Sequence, residues 1–169
     1  LDVEISDFAG GSLALQAVQS GVADVVSGAY EHTIALQAKG QRFQAFVLQG
    51  RAPQISLGVS SRTMPQYQGL ADLKGKRIGV SAPGSSTNMV AKRILSRAGL
   101  AAGDVTFLGV GSAGGALAAV RSGLIDALSN AEPVMTMLEQ KGELRIVADT
   151  RTLKGTLEVF GGPMPAACL

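Results

Sequence analysis

Laid on itself with a shift of 102 residues, the sequence repeats. "ALQAVQSGVADVVSGAYEHTIALQAKG", Ala14 to Gly40, lies against "ALAAVRSGLIDALSNAEPVMTMLEQKG", Ala116 to Gly142, and 12 of the 27 positions are identical. Composition alone would give roughly two or three. The matches include Leu15 with Leu117, Val18 with Val120, Gly21 with Gly123, Asp24 with Asp126, Ser27 with Ser129 and Gly40 with Gly142. A spacing of 102 lies far beyond the ~20–50 residues of solenoid and propeller repeats. It predicts two similar lobes rather than an array. With 169 residues, 46% hydrophobic and 17% charged, the chain has enough apolar material to give each lobe a core.

Each copy reads as the same unit. "DVEISDF" (Asp2 to Phe8) and "DVTFLGV" (Asp104 to Val110) are rich in strand formers. "SLALQAVQSG" and "GALAAVRSG" carry apolar residues at helical spacing and stop at Gly21 and Gly123, where a helix end favours left-handed backbone. "VADVVSGA" and "LIDALSNA" suit buried strands, then come second helices closing at Gly40 and Gly142, then "FQAFVLQ" and "LRIVADT". The order β-α-β-α-β, twice, predicts an α/β fold of two lobes, each a mainly parallel sheet flanked by helices.

The second copy is preceded by a further strand–loop–helix unit, Lys76 to Gly103. Its counterpart in the first copy would fall before residue 1, which implies that roughly 27 residues of lobe one, and any signal peptide, lie outside this sequence. The expected limits are lobe one at 1–62, a crossover at 63–75, lobe two at 76–150, and a return crossover with a lobe-one strand at 151–169. Without its first βα unit, lobe one should leave apolar edges on "DVEISDF" and "ADVVSGA" exposed or closed on each other.

Composition excludes several functions. A net charge of +2, without a basic run or aromatic platform, argues against nucleic acid. The lone Cys168 precludes an internal disulfide framework, and with the single His32 it makes metal sites and His-based triads a poor fit, so no metal or cofactor is expected. The uncharged stretch Val105 to Val120 is Gly-rich and shorter than the ~20 apolar residues of a membrane helix.

"DLKGKRIGVSAPGSSTNMVAKRILSRAGL", followed by "VGSAGGALAAVRSGLIDALSNAEP", resembles the solute-binding proteins of bacterial ABC importers, in the group handling sulfonates, taurine, nitrate and thiamine-pyrimidine precursors. "LDVEISDFAGGSLALQAVQSGVADVVSGAY" is similar to the first lobe of the same family. The resemblance covers nearly the whole sequence and is specific for the family, not for the ligand. It implies a type II periplasmic-binding fold, in which two lobes close on a small molecule and deliver it to a membrane permease, and a C-terminal helical portion beyond this sequence. It also implies a monomer, periplasmic or held at the cell surface by a lipid anchor, that meets the membrane only through that anchor or the permease.

In open α/β sheets ligands lie beyond the C-terminal strand ends, near helix N-termini with free N–H groups. In lobe two this singles out "APGSSTN", with Ser85, Ser86 and Thr87 as hydroxyl donors beside those N–H groups, one serine doubling as an ordinary N-cap. "AGGS" (Ala9 to Ser12) contributes Gly11 and Ser12. The third pair of loops, "SGAYEH" and "SNAEPV", diverges at equivalent positions, as an asymmetric ligand between pseudosymmetric lobes requires. Tyr30 would pack an apolar portion, Asn130 would donate and accept hydrogen bonds, and Glu132 is a further contact or a favourable charge at a helix start. Glu31 reads as such a helix-start charge and His32 as a solvated or capping residue.

A transport receptor that makes and breaks no bond is the leading expectation, its ligand small and anionic or amide-bearing. The alternatives are an enzyme on the same scaffold, resembling pyrimidine-synthesis relatives, and the effector-binding domain of a transcription regulator. One His and one Cys leave little for the first, and the second requires an upstream helix-turn-helix.

Overall fold

Apolar residues at alternate positions set the central layer. A computed structural model, which describes residues 2–8 and 10–169, has thirteen α and β elements in the order α1 (Gly11–Gln19), β1 (Gly28–Ala29), α2 (Glu31–Gln37), β2 (Ile55–Ser60), β3 (Arg77–Val80), α3 (Ser86–Arg97), β4 (Thr106–Gly109), α4 (Gly114–Ser122), β5 (Ala127–Ala131), α5 (Val134–Gln140), β6 (Leu144–Asp149), α6 (Leu153–Phe160) and β7 (Ala167–Cys168). Five strands form one sheet in the order β4-β3-β5-β2-β6. β4, β3 and β5 are parallel, and β2 runs antiparallel to both β5 and β6, so four of the five strands share a direction.

Ile55, Leu57 and Val59 point from β2 to one face, where they meet Ile78, Ala127 and the α3 residues Val90, Ile94 and Leu95. On the other face Leu128 and Leu144 pack with Ala116, Ala119 and Val120 of α4 and Val134, Met135 and Leu138 of α5. Each fully buried aliphatic side chain is worth ~1.5–3 kcal/mol, so this α/β sandwich is where the stability of the chain resides. At its edge Asp126 accepts from the Arg77 backbone N–H at 2.9 Å and from its guanidinium at 3.0 and 2.8 Å, which holds the Asp126 carboxyl below the usual range. Asp126 thus ties two strand starts together, far from the strand ends a ligand would meet.

The repeat is visible in the backbone. α1 and α4 are both nine residues long, and α2 and α5 both seven. Gly21 and Gly123 both take φ of 75°, and Gly40 and Gly142 take 76° and 64°. The bonds that close each helix recur at the same shift. Val22 N–H donates to Ala17 O as Leu124 does to Ala119 O, and Gln41 N–H donates to Leu36 O as Glu143 does to Leu138 O. Left-handed backbone at these four glycines is what stops the helices.

Two expectations change. The limit of lobe one at residue 62 moves upstream, because Ile55–Ser60 lies between β5 and β6 with all six residues buried. A strand buried along its whole length needs hydrogen-bond partners on both edges, and β5 and β6 of the second copy supply them. The first copy also builds no parallel sheet among the described residues. Its ladder is β1 against β7, antiparallel, pairing Gly28 with Cys168 and Ala29 with Ala167. Residues 2–8 and 41–47 form no strand, and Val3, Ile5, Val22, Val25, Phe46, Val47 and Leu48 are exposed. A strand without a neighbour has no ladder to hold it. Among the described residues no helix is long and apolar enough to cross a membrane.

The tight packing around β2 is testable. A Cβ at Gly58 would overlap the Leu144 side chain and stand 3.2 Å from the Arg145 carbonyl oxygen, whereas one at Gly114, the first residue of α4, meets nothing. Gly58→Ala should lower stability to denaturant by ~1–3 kcal/mol, and Gly114→Ala should raise it by ~0.4–1 kcal/mol. Equal effects of the two would contradict the placement of β2.

Candidate ligand-binding cleft

The strand end of the first copy and the strand end of the second face the same space. A cleft of about 220 Å³ is lined on one side by Ser27, Gly28, Ala29 and Glu31, and on the other by Ile55, Ser86, Thr87 and Ala131. Pro53, Ala166 and the β7 residue Ala167 complete it. Ala29 and Ala131 occupy the same place in the two copies, separated by the repeat spacing of 102, and both line the cleft. The pseudosymmetry in the sequence is therefore a pair of facing walls in space.

The α3 wall is built around three hydroxyls. Ser81, at the end of β3, and Ser85 and Thr87, at the start of α3, lie 2.8–2.9 Å from one another, and the Ser81 N–H donates to Thr87 Oγ1 at 2.9 Å. Ser85 Oγ also donates to the Ala82 carbonyl at 2.7 Å, and Ser129 Oγ donates to the Thr87 carbonyl at 2.8 Å. These bonds satisfy the hydroxyls of Ser85 and Thr87 and fix the strand-to-helix turn, with Gly84 at φ 78°. Ser85 occupies the N-cap position, yet its side chain bonds backward and caps nothing. Ser86 is left facing the cleft with its hydroxyl in no hydrogen bond to a described residue, next to the first-turn N–H groups of a helix of 12 residues. Those N–H groups carry the positive end of the helix dipole.

Of the eight residues singled out from the sequence, Ser86 and Thr87 line the cleft and the others do not. Asn130 is fully buried, donates to the Gly111 carbonyl at 3.0 Å and accepts from the Ala131 N–H at 2.9 Å. Glu132 accepts from Arg151 Nη1 at 2.7 Å and from the Thr136 N–H at 3.0 Å. Burial works against its ionisation, but the guanidinium and that helix N–H hold its carboxyl below the usual range. Tyr30 precedes α2, its N–H donating to the Ala166 carbonyl at 3.0 Å and its own carbonyl accepting from Thr33. Gly11 opens α1 against the His32 ring, where an added Cβ would stand 3.1 Å from Nε2, and Ser12 follows it into the helix. Ala9, part of the same loop, lies outside the described residues.

The residue that sequence reasoning passes over is Glu31. It is 7% exposed, and neither carboxylate oxygen has a hydrogen-bond partner among the described residues. Burial pushes its carboxyl up to about 7, its own backbone N–H pulling back in part. His32, expected to be solvated, is also buried, with Nε2 unpartnered, and burial pushes its imidazole below its ordinary value. It points to a separate apolar cavity of about 50 Å³ beside Leu15, Leu36, Phe43 and Cys168. A signal for Glu31 does exist. Where the first copy has Glu31 the second has Pro133, the same divergence that singled out Tyr30 and Asn130 one and three places away.

The buried carboxyl has a measurable consequence. With a folded value of about 7 against an ordinary 4.5, Glu31 is protonated in the folded ligand-free chain when it is already ionised in the unfolded one. The stability this gives is complete below pH 4.5 and is lost as pH rises through about 7. The loss amounts to roughly 3 kcal/mol. Denaturant unfolding of the wild type and Glu31→Gln from pH 4.5 to 8 should diverge by that order, the wild type weakening relative to the variant. Parallel curves would contradict the burial.

Comparison with known proteins places this geometry. A model of the family described as ABC transporter, phosphonate, periplasmic substrate-binding protein matches residues 5–167. A solved structure from Bordetella bronchiseptica RB50 is 64% identical, with a TM-score of 0.96, and covers 99% of this chain and 53% of its own. The alkanesulfonate-binding protein SsuA from Xanthomonas axonopodis pv. citri, bound to MOPS, is 26% identical with a TM-score of 0.66, covering 95% of this chain and 52% of its own. The periplasmic aliphatic sulphonate binding protein SsuA from Escherichia coli is 28% identical with a TM-score of 0.60, covering 84% and 48%. None of the curated proteins matches the sequence. The chain thus spans about half the length of the solved structures it resembles. With its duplicated α/β unit and the cleft between the copies, this chain belongs to the family of phosphonate ABC transporter periplasmic substrate-binding proteins.

Proposed function

We propose that the protein is the extracytoplasmic solute receptor of an ABC importer, taking up a small organic molecule in the cleft between the two copies and presenting it to the permease. The observation that carries this reading is that Ala29 and Ala131, equivalent in the repeat, line one cavity together with the start of α3. One helix terminus contributes only ~0.3–2 kcal/mol to an anion, whereas a micromolar ligand needs ~8 kcal/mol. Neither wall suffices, so binding requires contacts from both and the exclusion of water between them. The Ser86 hydroxyl and the α3 N–H groups suit an anionic or acceptor end of the solute. The family and its solved relatives are transport substrate-binding proteins, and the reading assigns no bond-making step to the chain.

A thermal-shift screen of the full chain with sulfonates, phosphonates, nitrate, aromatic carboxylates and pyrimidines tests it. A cognate solute at 100 times its dissociation constant should add ~2.7 kcal/mol of stability, and Ser86→Phe, which fills the cleft, should abolish the gain. A screen in which no class raises the midpoint, or a gain that survives Ser86→Phe, would contradict the proposal.

A further inference from the structure

Two consecutive residues of one short helix carry buried polar atoms without a partner among the described residues: both carboxyl oxygens of Glu31, and Nε2 of His32. Glu31 is 7% exposed and His32 6%, and an unpaired charge so enclosed is among the most costly groups a fold can carry. Elsewhere the chain pairs its acidic groups, Asp126 with Arg77, and Asp149, Glu132 and Glu139 with Arg151. Here it keeps the two groups neutral instead. Burial is the leading cause at each and no neighbouring charge contributes. The other titratable group facing the pair is the Cys168 thiol of β7, which burial pushes up and Glu31 pushes further. α1 and β1 carry no titratable residue, and the first turn of α3 presents Ser86, Thr87 and Asn88. Lys39 and Arg42, past the end of α2, are exposed.

What encloses the pair is slight. α2 has seven residues and no side-chain cap. It is held by the two residue pairs of the β1–β7 ladder and by the Tyr30 N–H, which donates to the Ala166 carbonyl at 3.0 Å. Few bonds need break for such a segment to open locally. Once water reaches the pair, the carboxyl returns to its ordinary 4.5 and the imidazole to 6.5. Between those values the first is ionised and the second protonated.

We infer that Glu31 and His32 form a charge-compensating latch on the α2 wall, a neutral pair while the wall is shut and an ion pair when it opens. On opening, the Glu31 O–H bond breaks, an N–H bond forms on the His32 imidazole, and water carries the proton between them. The number of bound protons does not change. Taken alone, Glu31 holds the wall fully below pH 4.5 and loses that hold as pH rises through about 7. His32 alone holds it fully above 6.5 and loses that hold as pH falls through its lowered folded value. The two slopes oppose each other, so together they level the opening of the wall against pH. The consequence for uptake rests on the receptor reading above: the closed fraction of the cleft, and with it the affinity for solute, holds steady while the acidity outside the cell changes.

Amide hydrogen exchange of the ligand-free full chain from pH 5 to 8 tests the latch without any solute. Opening constants follow from the measured rates once the free-peptide rate is divided out. The Tyr30 N–H and those of α2 should open more readily than the amides of β3 and β5. In His32→Gln their opening constant should rise about 100-fold from pH 5 to 8, in Glu31→Gln it should fall over the same range, and in the wild type it should change less than in His32→Gln. His32→Leu serves the same purpose if His32→Gln does not fold. Amides of α2 no faster than those of the core, single variants that slope the same way, or a wild type that follows His32→Gln would each overturn the inference. The receptor reading survives such a result, since the solute screen with Ser86→Phe decides it separately.

Discussion

The short ladder between Gly28–Ala29 and Ala167–Cys168 is the interaction on which the cleft depends. The first copy has no sheet of its own among the described residues, and what holds its strand end in place is the chain returning from α6. Around that ladder the Ala166 carbonyl accepts from the Tyr30 N–H at 3.0 Å, and the Ala166 N–H donates to the Gly50 carbonyl at 2.9 Å. The same segment lays Ala166 and Ala167 into the cleft wall and buries Glu31 and Cys168. A handful of backbone bonds therefore positions Glu31 opposite a helix N-terminus supported by the five-stranded sheet.

The two walls differ in what anchors them. Thr87 and Ser85 are locked by mutual hydroxyl bonds to the end of β3 and backed by fully buried Val90 and Leu95. Glu31 and His32 sit on a seven-residue helix whose surroundings expose Val22, Val25 and Phe46. Local opening free energies follow burial and hydrogen bonding, so the α3 wall is the rigid half of the cleft and the α2 wall the compliant half.

The helices and their stops were legible in the sequence because they are set locally. Gly21, Gly40, Gly123 and Gly142 take the left-handed backbone that the repeat pattern assigned to them. Lobe two was legible as a sheet because β3, β4 and β5 are consecutive and parallel. What was not legible is partnership. Nothing local in "QISLGVS" says that it runs antiparallel between β5 and β6, and nothing in "DVEISDF" says that no strand lies beside it. The site divides in the same way. Ser86 and Thr87 followed from the strand–loop–helix grammar, and they line the cleft. Asn130 reads as a donor and acceptor for a ligand and Glu132 as a further contact or a helix-start charge, but Gly111 and Ala131 take up the polar atoms of the first and Arg151 and Thr136 those of the second. Glu31 looked like a routine helix-start charge, since burial at that position depends on β7, more than 130 residues away.

The central claim is that one solute is gripped from both copies of the repeat at once. Hydrogen–deuterium exchange of the full chain, with and without a solute that raises its melting midpoint, measures this most directly. The account predicts that slowed exchange appears together around residues 27–33, at the start of α3 and along 166–168. Protection confined to one copy of the repeat, or centred on any other surface, would contradict it.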